Sequence, residues 1–103
     1  MKKINKSPIA KRLRQAREKL GISQKALGIQ AGIDEFSASS RVNHYEQSLH
    51  QPDYSTTKRL AKVLNVPVPY LYTEDDALAE VILLFSIANR QKKKQALTLL
   101  NDD

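Results

Sequence analysis

The chain has 103 residues and a formal net charge of +6, which suits one small domain or a domain with an appendage. It has no Cys and only two His, His44 and His50, so a disulfide framework and thiolate zinc sites are excluded and no metal centre is evident. Aromatic residues make up 6% with no Trp, so the core must be mostly aliphatic, and abundant Ala, Leu, Lys, Gln and Arg with few Gly favour helices.

The charge is unevenly placed. Residues 1–72 carry thirteen Lys/Arg against five Asp/Glu, whereas residues 73–103 carry four against six. A basic front with a mildly acidic tail fits a polyanion-binding module, although Lys-rich helix faces that are merely solvated give the same count. The opening MKKINKSPIAKRLR is basic without an apolar core, unlike a signal peptide, and the longest apolar run, Val81 to Phe85, is far too short to span a bilayer. A soluble, cytoplasmic protein with no membrane partner is expected.

In chain order, Ser7-Pro8 opens a first helix, with Ile9, Leu13, Ala16 and Leu20 at helical spacing and Gly21 as its stop. Ser23 caps a second helix carrying Leu27 and Ala31, ended by Gly32. Asp34 or Ser37 then caps a third, with Ala38, Val42 and Tyr45 inward. Ser39, Ser40, Arg41, Asn43, His44 and Gln47 lie on its other face. The loop SLHQPD leads to a fourth helix from Ser55, with Leu60, Ala61 and Leu64 inward and Asn65 as its end. PVPYLY makes a short helical turn anchored by Tyr70 and Leu71. Thr73, followed by three acids, starts a further helix, and Arg90 to Leu100 forms the last. No strand, internal repeat or low-complexity linker is evident.

The stretch from Ser23 to Leu64 holds the specific signal. Ser23-Gln24, Leu27, Gly28, Ala31-Gly32-Ile33, Val42, Tyr45-Glu46, Pro52, Leu60-Ala61 and Leu64 resemble the Cro/C1-type (XRE-like) helix-turn-helix family over roughly residues 9–72. That resemblance implies an all-α, five-helix lambda-repressor-like DNA-binding domain at residues 9–72. A basic arm at 1–8 precedes it and a helical extension at 73–103 follows. It also implies that the second helix braces across the DNA backbone while the third lies in the major groove. Position 28 must be small because the third helix crosses close above it. Gly stands here in place of the family's usual Ala, at about 1 kcal/mol in helix propensity.

The departure is in the turn, where about four extra residues, Asp34-Glu35-Phe36-Ser37, form an extended turn or an added first turn on the third helix. Phe36 either pins this insertion onto the core, the favoured reading, or makes an apolar contact toward DNA. Counting back from Glu46 avoids the turn. The resemblance then implies base contacts by Ser39, Ser40, Asn43 and His44, flanked by Arg41 and Gln47. Their chemistry suits base edges: Asn with adenine, Arg with guanine, Ser with either.

Gln24, with Lys25 beside it, is expected at a phosphate, as are Ser48, His50, Gln51, Tyr54 and Lys58. Such contacts set affinity and register rather than sequence choice. Lys2, Lys3 and Lys6 form either a DNA-reaching arm or a solvated tail. Arg17 and Glu46 are expected to form a structural ion pair that orients the third helix.

In the extension, Leu78, Val81, Ile82 and Phe85, joined by Leu97 and Leu100, either pack on their own domain or form a homodimer interface. The cluster from Arg90 to Lys94 reads first as a solvated helix face. The expected protein is a sequence-specific transcriptional regulator, a repressor acting as a homodimer on palindromic double-stranded DNA, with no cofactor and no enzymatic activity. The alternative is an antitoxin that binds a toxin protein on the same scaffold.

Overall fold

The structure, a computed structural model, describes residues 7–102. Lys2, Lys3 and Lys6 of the expected arm lie outside these residues. Seven helices and no strand occupy the described residues: α1 Ile9–Leu20, α2 Gln24–Gln30, α3 Ala38–Glu46, α4 Tyr54–Leu64, α5 Val68–Leu71, α6 Asp76–Ile87 and α7 Arg90–Asn101.

α2, α4, α6 and α7 each start behind a side-chain oxygen that accepts a first-turn amide. Ser23 Oγ accepts from Ala26 N at 3.0 Å, as its position before α2 suggests. Two expected starts move to a nearby carboxylate. Asp53, not Ser55, caps α4 by accepting from Thr56 N at 2.8 Å. Asp75, not Thr73, caps α6 by accepting from Leu78 N at 2.8 Å, while Thr73 Oγ1 donates back to Pro69 O at 2.6 Å and closes α5 instead. Asn89 caps α7 through Lys92 N.

The ends of α1 to α4 share one device. Gly21, Gly32, Ser48 and Asn65 are the positive-φ residues among the described residues, and each is followed by an amide that reaches back five residues. These bonds are Ile22 N to Arg17 O, Ile33 N to Gly28 O, Leu49 N to His44 O and Val66 N to Ala61 O. This left-handed cap satisfies carbonyls that the helix leaves without partners. It stops each helix sharply, so α1 to α4 turn on one another within a few residues.

The inward residues meet in one core. Ile9, Leu13, Leu27, Val42, Leu60 and Leu71 are fully buried, each contributing about 1.5–3 kcal/mol of apolar burial. Leu20, which shares the spacing of Ile9 and Leu13, lies past the core edge and is half exposed. The buried Thr57 hydroxyl is satisfied: Thr57 Oγ1 donates to Asp53 O and accepts from the Tyr72 hydroxyl at 3.2 Å.

The closest approach is between α2 and α3. A Cβ built on Gly28 would stand 2.7 Å from Ala38 Cβ and 3.0 Å from Ala38 Cα and O, so the demand for a small residue at position 28 has a direct physical cause. Ala38 is itself completely buried.

Two arginines that sequence reasoning left aside stitch the helices together. Arg12 sits on the apolar face of α1, only 3% exposed. It donates to Thr73 O, Glu74 O and Asp76 Oδ1 at 2.8–2.9 Å and lies over the Tyr70 ring. It thereby ties α1 to the segment that launches α6. Arg59 Nε donates to Ala31 O at 2.8 Å, joining α4 to the end of α2. An Arg three residues after Ile9 and one before Leu13, inside an apolar stripe, was the available signal for the first.

Beyond α5 the packing thins. α6 turns Ala79, Ile82 and Leu83 toward the core, and α7 buries none of its residues. Of the stripe that was expected either to pack on its own domain or to form an interface, Ile82 packs against the core. Leu78, Val81, Leu84, Ile87, Leu97, Leu99 and Leu100 face outward. The described residues extend 51 × 27 × 22 Å, an elongated shape.

Candidate nucleic-acid interface

The face of α3 opposite Ala38, Val42 and Tyr45 is polar and open. Ser39, Ser40, Arg41 and Gln47 are exposed, and Asn43 and His44 are half-buried. Ser37, Ser40, Arg41, His44, Tyr45, His50 and Gln51 line a concave depression of about 470 Å³. Within it the His44 and His50 rings lie 5.2 Å apart at a tilt of 48°. The α3 cap that returns Leu49 N and His50 N to His44 O brings His50 back beside the helix. Burial raises the Tyr45 phenol above its ordinary range, partly offset by the positive charge of Arg41.

A hydrogen-bonded bracket holds α3 at its far end. Arg17 Nε donates to Glu46 Oε2 at 2.6 Å and its NH2 group to Glu46 Oε1 at 3.1 Å, while Gln24 Nε2 donates to the same Oε1 at 3.0 Å. The Glu46 side chain is 2% exposed. This bidentate hydrogen bond raises the Arg17 pKa further, ahead of the opposing effect of burial. Arg17 also donates to Ile22 O, so the same guanidinium fixes the α1–α2 turn. Three helices thus meet on one carboxylate.

Gln24 contributes in a way the sequence did not reveal. Its amide nitrogen also donates to Asn43 Oδ1 at 3.2 Å. Both of its amide hydrogens point into the protein, so its side chain would have to leave this bracket to donate to a phosphate. Its visible effect is to orient Asn43 on the outer face of α3.

The other expected contact residues scatter around this face. Lys25 is exposed on the first turn of α2, and Tyr54 and Lys58 stand together on α4, with Lys58 Nζ 5.5 Å from the Tyr54 ring centroid. Ser48 is half-buried, and its φ of 60° makes it first of all the terminator of α3.

The inserted turn is ordered by its own polar groups. Asp34 Oδ2 accepts from Phe36 N at 3.1 Å, Asp34 O accepts from Ser37 N at 2.9 Å, and Ser37 O accepts from Arg41 N to begin α3. Ser37 stands at the cap position before α3 but makes no side-chain cap. Phe36 overturns the favoured expectation. It is 91% exposed and touches no core, because the Asp34 carboxylate and carbonyl fix the turn without an apolar anchor.

No group of three or more His, Cys, Asp or Glu able to hold a metal occurs among the described residues, and none of their helices is long and apolar enough to cross a membrane.

A family model described as a helix-turn-helix domain matches residues 8–70. The HTH-type transcriptional regulator ImmR of Bacillus subtilis (strain 168) is 31% identical over 68 residues, covering 66% of this chain and 50% of that protein. The chain thus spans about half the length of this curated relative. The crystal structure of the transcriptional regulator BswR matches with a TM-score of 0.83 at 46% identity, over 88% of this chain and 90% of that one. That coverage exceeds the helix-turn-helix segment, so the likeness extends into the C-terminal helices. The chain belongs to the XRE-like helix-turn-helix family of transcriptional regulators.

Proposed function

We propose that this protein is a sequence-specific double-stranded-DNA-binding transcriptional regulator, a repressor that occupies a palindromic operator as a homodimer in the cytoplasm. The observation that supports it best is α3. It presents an open polar face and is held rigidly by the Gly28–Ala38 contact at one end and the Arg17–Glu46–Gln24 bracket at the other. A preorganised helix with Ser39, Ser40, Arg41, Asn43, His44 and Gln47 outward is suited to base edges in the major groove. Lys25, Ser48, His50, Gln51, Tyr54 and Lys58 surround it as phosphate contacts. Gln24 acts mainly by orienting Asn43.

The dimer reading rests on the extension. Val81, Leu84, Phe85, Ile87, Ala88 and Ala96 line an open, mainly apolar groove of about 630 Å³ between α6 and α7, with further exposed Leu on both helices. Exposed apolar surface on this scale marks an interaction face, and twofold homodimers are the commonest assemblies. A twofold dimer sets two α3 helices one DNA turn, or a multiple of it, apart. The antitoxin alternative has no comparable support, since both named relatives are transcriptional regulators.

Leu84→Glu in the full chain separates the parts. Sedimentation should give a dimer for the parent and a monomer for the variant, with weaker operator binding and unchanged helical content. Equal masses for both would remove α6 and α7 from the interface.

A further inference from the structure

Phe36 is the most exposed large apolar side chain among the described residues, and it stands apart from the apolar groove of α6 and α7. Its backbone is not loose. Its amide is tied to Asp34 Oδ2, the next amide to Asp34 O, and Ser40 Oγ donates to Ser37 O across the start of α3. Two residues on, Ala38 is pressed against Gly28. A rigid mount therefore carries a free aromatic ring.

The position of that ring is informative. Ser37 has right-handed backbone, φ −109° and ψ −12°, and Phe36 precedes it in a turn closed by the Ser37 amide on Asp34 O, two residues before the first residue of α3. Phe36 therefore sits at the leading end of α3, whose outward residues Ser40 and Asn43 belong to the face proposed to read bases. Its ring is 91% exposed, whereas Ala38 and Tyr45 are buried. The insertion thus places an aromatic ring at the leading end of the reading face. Residues at the N-terminal end of a recognition helix are those that meet base edges.

Charge narrows the target. Asp34 and Glu35 beside Phe36 disfavour a phosphate strand, so a ring held there belongs over the centre of the groove. The apolar group that unmodified base pairs present in the major groove is the C5-methyl of thymine. We propose that Phe36 is a specificity-determining residue that packs on a thymine methyl group at the edge of each half-site. This rests on the DNA-reading role of α3 proposed above.

The test uses the full chain and the duplex that it selects from a randomised library, with each thymine replaced singly by uracil, which removes only the methyl group. One replacement per half-site should weaken the parent about fourfold, the value of one buried methyl. Phe36→Ala should bind the thymine duplex at least that much more weakly, should no longer respond to that replacement, and should melt at the parent's temperature. Phe36→Leu should retain part of the response. The proposal is overturned if no uracil replacement matters to the parent, or if Phe36→Ala responds to every replacement as the parent does. If the parent selects no sequence over random duplex, the DNA-reading role fails instead, which is a distinguishable result.

Discussion

Gly28→Ala sets two opposing effects against each other at a site where the structure decides the sign. In a helix interior Ala is favoured over Gly by about 1 kcal/mol, so propensity alone predicts a more stable protein. The added Cβ, however, meets Ala38 Cβ at 2.7 Å and Ala38 Cα and O at 3.0 Å. Two of these neighbours are backbone atoms, so no rotamer change relieves the contact and α3 itself must move. Overpacking of this kind costs about 1–3 kcal/mol, and a backbone clash belongs in the upper part of that range. The net loss is about 1 kcal/mol, a fall in melting temperature of about 4–8 °C for a domain of this size. Because α3 moves at its leading end, affinity for the selected duplex should fall as well. Ala38→Gly added to Gly28→Ala removes the shortest contact but leaves the two backbone contacts, so it should restore the position of α3 only in part. Thermal unfolding by circular dichroism checks the first claim and duplex titration the second. A Gly28→Ala protein that melts higher than the parent and binds equally well would refute the view that this contact seats α3.

Further outcomes follow from the bracket and the caps. Arg17→Ala leaves the Glu46 carboxylate buried with Gln24 as its remaining side-chain donor and should cost about 3–5 kcal/mol in urea unfolding. Replacing both partners by Met and Leu should recover most of that, and a loss below about 1 kcal/mol for the single variant would contradict the bracket's role. The Thr56 backbone amide holds the Asp53 carboxyl below its ordinary value, and Lys11, with Arg12, does the same for Asp76. A lowered folded-state value gives stability that is present above the unfolded-state value and lost as pH falls through the folded one. Melting temperature should therefore drop below about pH 4, the ordinary carboxylate range. Asp53→Asn keeps a capping oxygen and should make that drop shallower, whereas an unchanged slope would contradict the cap's contribution. Ser48→Gly relieves a left-handed backbone at a net gain of about 0.5 kcal/mol after the entropy of glycine is counted. Lower stability would show that the Ser48 side chain matters more to the α3 cap than its backbone does.

The frame of the molecule was legible because single residues enforce it. Ser23, Gly21, Gly32 and Asn65 mark helix ends by capping chemistry that depends on their own type, and Leu27, Val42 and Leu60 repeat at the period that one face requires. Where two neighbours offered the same chemistry, the choice depended on the path of the chain. Thr73 and Asp75 can both cap, but Thr73 is spent on Pro69 O, and Asp53 takes the Thr56 amide while Ser55 Oγ accepts from Arg59. Phe36 was misjudged because average burial of Phe outweighed the fact that an Asp-led turn closes on itself and needs no apolar anchor. The partners of Arg12 and Arg59 were invisible for another reason: the carbonyls they satisfy, those of Thr73, Glu74 and Ala31, lie far away in sequence and meet them only in space. The same holds for Gln24, whose link to Asn43 spans the insertion that obscured the α3 register.

The outer face of α3 is the element proposed to read duplex DNA. The most direct measurement is titration of the full chain against its selected duplex and a scrambled duplex of equal composition, over a range of salt, with Asn43→Ala alongside. The predicted result is binding at least a thousandfold tighter to the selected duplex and a steep fall for both with salt. Asn43→Ala should lose affinity for the selected duplex about five- to a hundredfold while its binding to the scrambled one stays near the parent's. Equal affinity of the parent for both duplexes, or an Asn43→Ala protein that still distinguishes them as the parent does, would contradict it.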